Sequence, residues 1–139
     1  MLLVSKCLLG GNCKYNGGNN LNSKVVKFIE GKKYVEVCPE CFGGLPTPRD
    51  PSEIDSKSGR VYSSKGKDVT ENFLKGAEMT LDIALRENAE LALLKQSSPS
   101  CGCGKIYDGS FSGKKIEGNG ITSQLLLENG IKIITEEDL

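Results

Sequence analysis

The chain has 139 residues with 18 Lys+Arg against 18 Asp+Glu, a length for one domain and a zero formal charge without the basic footprint of a nucleic-acid binder. Hydrophobic residues at 37% and charged residues at 26% predict one folded core spanning 1–139, well clear of a disordered composition. Six cysteines and no histidine exclude Ser-His-Asp and Cys-His catalysis and mixed Cys/His zinc sites, leaving acid–base work to Glu, Asp, Lys, Tyr or a thiol.

Leu2 to Ser5 is a short apolar run that stops at Cys7 and Gly10-Gly11, which predicts a buried strand ending in a loop. The run is broken by Lys6 and too short for a signal segment, and no stretch reaches the ~20 apolar residues of a membrane span. A cytoplasmic chain without membrane contact is expected, where cysteines at this density point to metal or redox chemistry rather than structural disulfides. Ser23 is positioned to cap a short helix through Val25, Val26, Phe28 and Ile29, with Gly31 as its stop. Tyr34 to Val37 reads as a second strand and runs straight into Cys38.

Pro39 to Gly66 holds four of the five prolines, at 39, 46, 48 and 51, and reads as a long irregular segment, functional or mobile. Asp68 with Glu71 forms a capping signature, followed by Phe73, Leu74, Ala77, Leu81, Ala84 and Leu85 on one helical face. Leu91 to Leu94 predicts a third strand, leading through Lys95, Gln96 and Ser97 to Cys101 and Cys103. A second Gly-rich loop with Tyr107, Asp108 and Phe111 precedes a helix over Ile121 to Leu127, stopped by Gly130, and a last strand over Ile131 to Ile134. The alternation predicts a single small α/β domain, Rossmann-like, with a mostly parallel sheet of about four strands flanked by helices. Ligands of such sheets bind beyond the carboxyl ends of the strands, where three separate strands deliver cysteines to one edge.

The six thiols form three pairs: Cys7 with Cys13, Cys38 with Cys41 in a CxxC, and Cys101 with Cys103 in a CxC. A zinc site of two knuckles and four thiolates fits this pattern only loosely. A dithiol redox site requires the CxxC to open a helix, and Phe42-Gly43-Gly44-Leu45-Pro46 is a poor helix start. An iron-sulfur cluster accepts soft thiolates from separated loops, and three such ligands leave one iron open to a soft atom such as sulfur. Gly43, Gly44, Gly102 and Gly104 either let backbone N–H groups approach cluster sulfurs or serve as turn residues.

CLLG at 7–10 with Tyr15-Asn16-Gly17, CPE with GGLPTPRDP at 38–51, DVT at 68–70, LKQSSPSCG at 94–102 and IYDGSFSG at 106–113 together resemble the TudS-like thiouracil desulfidase family of bacteria and archaea. The motifs lie in matching order across essentially the whole chain. The resemblance implies a small α/β domain that holds a 4Fe-4S cluster on Cys7, Cys38 and Cys101, the fourth iron lacking a protein ligand. Cys13, Cys41 and Cys103 are then extra thiols near the site. Cys41, commonly apolar in relatives, and Asn16, often Asp, are departures that leave open a fourth ligand closing the site. The implied reaction converts thiouracil or a related thiolated nucleobase or nucleoside to the oxo form plus sulfide, the open iron taking the sulfur while water adds to carbon. The implied partner is a small thiolated pyrimidine, with no nucleic-acid polymer.

Without histidine, Glu40 is the carboxylate best situated to move protons, two residues beyond Cys38. Ser98 and Ser100 beside Cys101 are candidates for binding substrate or orienting water, or alternatively cap the turn around Pro99. Arg49 between two prolines, Lys95 at a strand end, and Tyr15 and Tyr107 beside Gly-rich loops each have a bland structural reading as well, and helix capping suffices for Asp68 and Thr70. The competing functions are a non-enzymatic zinc- or iron-sulfur-binding module and a CxxC dithiol redox protein. A cluster with an exposed iron is lost in air, so zinc or an empty site is expected of aerobic preparations.

Overall fold

All four residues of the first strand, β1 (Leu2–Ser5), are buried, because β1 lies between two parallel neighbours with helices over both faces. The computed structural model describes residues 1–139. After β1 come a 3-10 turn at Lys6–Leu9, α1 (Ser23–Ile29), β2 (Tyr34–Val37), α2 (Pro39–Phe42), β3 (Ser52–Ile54) and β4 (Val61–Ser63). They are followed by α3 (Thr70–Arg86), β5 (Leu91–Leu94), β6 (Cys103–Tyr107), β7 (Lys115–Asn119), α4 (Ile121–Glu128), β8 (Lys132–Thr135) and a closing 3-10 turn at Glu136–Asp138. The main sheet has four parallel strands in the order β2-β1-β5-β8, the small helix-flanked α/β architecture expected of the sequence. No helix is long and apolar enough to cross a membrane.

Alternating side chains divide the core between the faces of the sheet. Leu3 and Leu94 join Ala84 of α3 and Leu126 of α4 on one side, while Val4 and Leu93 meet Val25 and Ile29 of α1 on the other. Leu3, Leu94 and Leu126 are fully enclosed, each contributing about 1.5–3 kcal/mol of apolar burial. A third cluster, Ile54, Val61, Val69, Phe73 and Ile106, supports the loops above the sheet.

Several boundaries differ from expectation. The stretch Pro39–Gly66 is not wholly irregular, since it carries the one-turn α2 and the antiparallel β3-β4 hairpin. The Gly-rich segment around Tyr107 likewise folds into a second hairpin, β6-β7. Both hairpins are short, and only Ile54, Val61, Ser63 and Ile106 of their residues are buried, too few apolar positions to show in the sequence as a half-buried strand. The cap of α1 is Asn22, whose Oδ1 accepts from the Lys24 and Val25 N–H groups, so Ser23 is the first helical residue. Asp68 accepts from Thr70 N and Oγ1 and pairs with Arg60 at 2.7 Å, and α3 begins only at Thr70. On α3, Leu74 and Leu85 are exposed while Gly76 and Thr80 are buried, because the helix presents a small-residue stripe to α2 instead of its full leucine complement. A Cβ at Gly76 would lie 1.9 Å from the Pro39 carbonyl oxygen, and one at Gly43 equally close to that of Asn72. Two glycines therefore let α2 lie backbone-to-backbone on α3.

Candidate functional site: a thiol-lined cavity at the strand ends

The sheet order makes the chain leave β1 for β2 and return across it to β5, which puts the topological switch between β1 and β5. A cavity of about 430 Å³ opens there at the carboxyl ends of the strands. Its wall includes Cys7 from the turn after β1, Cys38 directly after β2 and Cys101 from the loop after β5. Glu40, Ser98 and Ser100 line the same cavity. The three expected ligands, Glu40 and the two candidate serines thus reach one wall, whereas Cys41, left open as a fourth ligand, does not.

Cys38 is the N-cap of α2, and Pro39 occupies the first helical position, where its missing N–H costs nothing. The segment expected to be a poor helix start is therefore a helix of one turn, ended by Gly43. That turn aims Glu40 at the loop after β5. The Glu40 carboxylate is bound from two sides: Ser100 Oγ donates to Oε2 at 2.8 Å, and Arg49 Nε donates to Oε1 at 3.3 Å. Ser98 Oγ accepts from the N–H groups of Ser100 and Cys101 at 3.1 and 2.9 Å, so its own hydrogen goes to Ser100 Oγ, 2.9 Å away. The result is a directed chain from Ser98 to Ser100 to Glu40. Ser98 also fills the turn-capping role that its sequence position suggested.

Arg49 is almost fully enclosed, with 8% of its side chain exposed. Besides Glu40, its guanidinium donates to Thr47 Oγ1 and to the carbonyls of Pro46 and Cys13, while its backbone N–H donates to Tyr15 O at 2.7 Å. One planar cation thereby fixes the site carboxylate and the Cys13–Tyr15 loop together. Lys95 is not free, since Nζ pairs with Glu136 at 3.1 Å and donates to Gln96 O. Tyr15 and Tyr107 both line the cavity, with Lys14 and Lys115 over their respective rings.

Of the three extra thiols, Cys13 also lines the cavity, whereas Cys41 and Cys103 do not. Cys13 shares a hydrogen bond with Cys38, which lowers the Cys13 thiol and, together with burial, raises Cys38. Burial is the main cause raising Cys7 and Cys41, and it pushes Cys101 up to about 12. The Cys41 thiol faces Thr47 Oγ1 at 3.7 Å. A dithiol oxidoreductase needs a thiol lowered into the physiological range, and both members of this CxxC move the other way. No three His, Cys, Asp or Glu side chains converge on a point that a single metal ion would occupy.

The resemblance put Cys13 among extra thiols near the site, and it lines the wall; the cationic rim of Lys6, Lys14 and Lys115, none of which pairs with a carboxylate, was not anticipated from the sequence. Lys115 comes from β7, while the loop after Cys7 folds back through Gly17 N–H to Lys14 O and Asn20 N–H to Cys7 O, which brings Cys13 and Lys14 to the wall. The Asn16-Gly17-Gly18 turn was its only local signal.

A strand-end cavity walled by soft thiols and by carboxylates, with Glu40 and Glu53 both hydrogen-bonded, gives this α/β domain the donor set for a thiophilic centre beside groups able to carry protons. A family model described as 2-thiouracil desulfurase matches residues 2–138, and the chain belongs to that family. It is 45% identical to the uncharacterized protein YbbK of Bacillus subtilis (strain 168), covering 100% of this chain and 97% of that protein. It is also similar to the solved structure of the 4Fe-4S-dependent thiouracil desulfidase TudS, with a TM-score of 0.91, 41% identity, and coverage of 99% of this chain and 91% of that one.

Proposed function

We propose that this chain desulfurates thiouracil or a related thiolated pyrimidine, converting C=S and water to C=O and hydrogen sulfide with no net oxidation or reduction. The observation that carries the reading is the meeting of Cys7, Cys38 and Cys101, from three strand ends, with Glu40 on one cavity wall. The thiols fit a 4Fe-4S cluster in their chemistry, being soft donors that three separated loops deliver to one cavity wall. Cys7, Cys38 and Cys101 are the proposed ligands. When bound, such a cluster supplies an iron without a protein ligand, a soft Lewis acid for the thiocarbonyl sulfur.

The remaining work falls to the chain. Glu40 Oε1 and Oε2 exchange protons with the adding water and the departing sulfur, and Ser100 holds Oε2 in position through its 2.8 Å hydrogen bond. Ser98 fixes the orientation of the Ser100 hydroxyl. Tyr15 and Tyr107 flank a space for a flat ring, and Lys6, Lys14 and Lys115 favour a thiolated pyrimidine that carries negative charge.

Anaerobic reconstitution with iron and sulfide tests the reading. A stoichiometric brown cluster whose absorbance responds to thiouracil, followed by release of uracil and sulfide, is the expected result. Cys7→Ser, Cys38→Ser and Cys101→Ser each lose the cluster, whereas Cys41→Ser and Cys103→Ser keep it. Full iron content in Cys7→Ser overturns the ligand set, and a colourless protein that binds one zinc tightly overturns the function.

A further inference from the structure

Ser97 is 95% enclosed, being 5% exposed, yet its Oγ has no hydrogen-bond partner within the protein. It also has a φ of 69°, a left-handed conformation uncommon for any residue with a side chain and ordinarily filled by glycine. The surrounding structure forces this conformation. Gln96 Oε1 accepts from both Ser97 N and Cys103 N at 2.9 Å, and Gln96 Nε2 donates to Cys103 O at 2.8 Å. Gln96 N donates to Glu136 Oε1 at 2.7 Å, and Ser97 bridges to Ile106. Backbone strain held by so many partners, next to a cavity, is characteristic of binding and catalytic sites.

Ser97 lines the cavity but stands outside the hydrogen-bonded chain from Ser98 to Glu40. Thr122 Oγ1 is the other buried hydroxyl without a partner, and it sits in α4 with no part in the cavity wall. A glycine at position 97 would relieve both the backbone strain and the unpaired hydroxyl. Resting on the proposed desulfidase reading, we infer that the Ser97 hydroxyl, which lies just beneath the cavity surface with almost no accessible area, turns about χ1 to become a substrate-binding group, hydrogen-bonding the N–H or exocyclic oxygen edge of the pyrimidine. A hydroxyl both donates and accepts, so it serves the amide-like edge that substrate and oxo product share. It therefore sets affinity and not the rate of C–S cleavage.

Ser97→Gly and Ser97→Ala in the cluster-loaded protein test this, with uracil binding measured by calorimetry beside thiouracil turnover, and melting of the cluster-free chain as a third readout. Uracil binding is expected to weaken about 5- to 10-fold, the factor for one lost hydrogen bond. KM for thiouracil should rise by a similar factor while kcat moves far less, and Ser97→Gly should melt no lower than the parent. Unchanged uracil affinity in Ser97→Gly overturns the inference while leaving the desulfidase reading standing. A lowered melting temperature with unchanged affinity also overturns it, by making the hydroxyl structural. A parent protein that neither binds uracil nor turns over thiouracil overturns both.

Discussion

Glu40 owes its position to neighbours supplied by distant parts of the chain. Its two oxygens are held by Ser100 and Arg49, and the Arg49 guanidinium is tied in turn to the backbone of Pro46 and Cys13. Lysine has a point charge in place of the planar fork, so it cannot reproduce these separated contacts. Arg49→Lys is expected to lower kcat by about 10–100-fold, the range for residues that orient an active-site group, with iron content preserved. Glu40→Gln keeps the shape and removes the exchangeable proton, so a loss of about 100- to 10,000-fold is expected, again with the cluster intact. Steady-state kinetics beside iron determination checks both, and a Glu40→Gln enzyme with parental kcat would remove Glu40 from the proton path.

At the scale of elements, α2 has only four residues, too few for helix propensity alone to maintain it. It persists because Gly76 and Gly43 permit backbone contact with α3, leaving no room for a methyl group at either position. Gly76→Ala raises the intrinsic propensity of α3 yet pushes against the Pro39 carbonyl. Overpacking of this kind costs about 1–3 kcal/mol, so a lower melting temperature is expected. Activity should fall with it, since α2 carries Cys38 at its cap and Glu40 in its turn. Thermal melts and iron retention test this, and a more stable Gly76→Ala protein would show that α2 can shift without consequence.

The same element shows what the sequence made legible. Leu2–Ser5, Tyr34–Val37 and Leu91–Leu94 are strands at the expected residues, the first and third as largely buried apolar runs in the middle of the sheet and Tyr34–Val37 as a β-branched and aromatic edge strand with only Val37 buried. Their parallel pairing follows from the intervening helices, and that pairing brings Cys7 and Cys38 together. The α2 turn and both hairpins were not legible. Their formation depends on Gly76, on Phe73 and on the third apolar cluster, contacts made across long sequence separations. The proximity of Cys13 to Cys38 has the same origin, since it depends on Arg49 holding the Cys13 carbonyl from 36 positions away.

Across the whole molecule, the fold encloses the thiols proposed as iron ligands, which would have to bind as thiolates. Burial raises Cys7 and Cys101, the latter from 9.0 to about 12, and Cys38 is raised by Cys13 and by burial, while only Cys13 is lowered. A thiol raised in the folded state favours folding while it remains protonated. That contribution is complete below the unfolded value near 9.0 and is lost as pH rises toward about 12. Iron uptake has the opposite sign, because each ligand thiol must release its proton and higher pH assists that release. The cluster-free chain, kept reduced, should therefore melt at progressively lower temperature above about pH 9, and Cys101→Ser should show a weaker decline. Iron loading over the same range should become more complete as pH rises. Parallel melting curves for parent and Cys101→Ser from about pH 8 to 11 would show that this buried thiol does not govern alkaline stability, whereas diverging curves would show that the enclosure of the proposed ligand thiol is what makes the cluster-free fold sensitive to base.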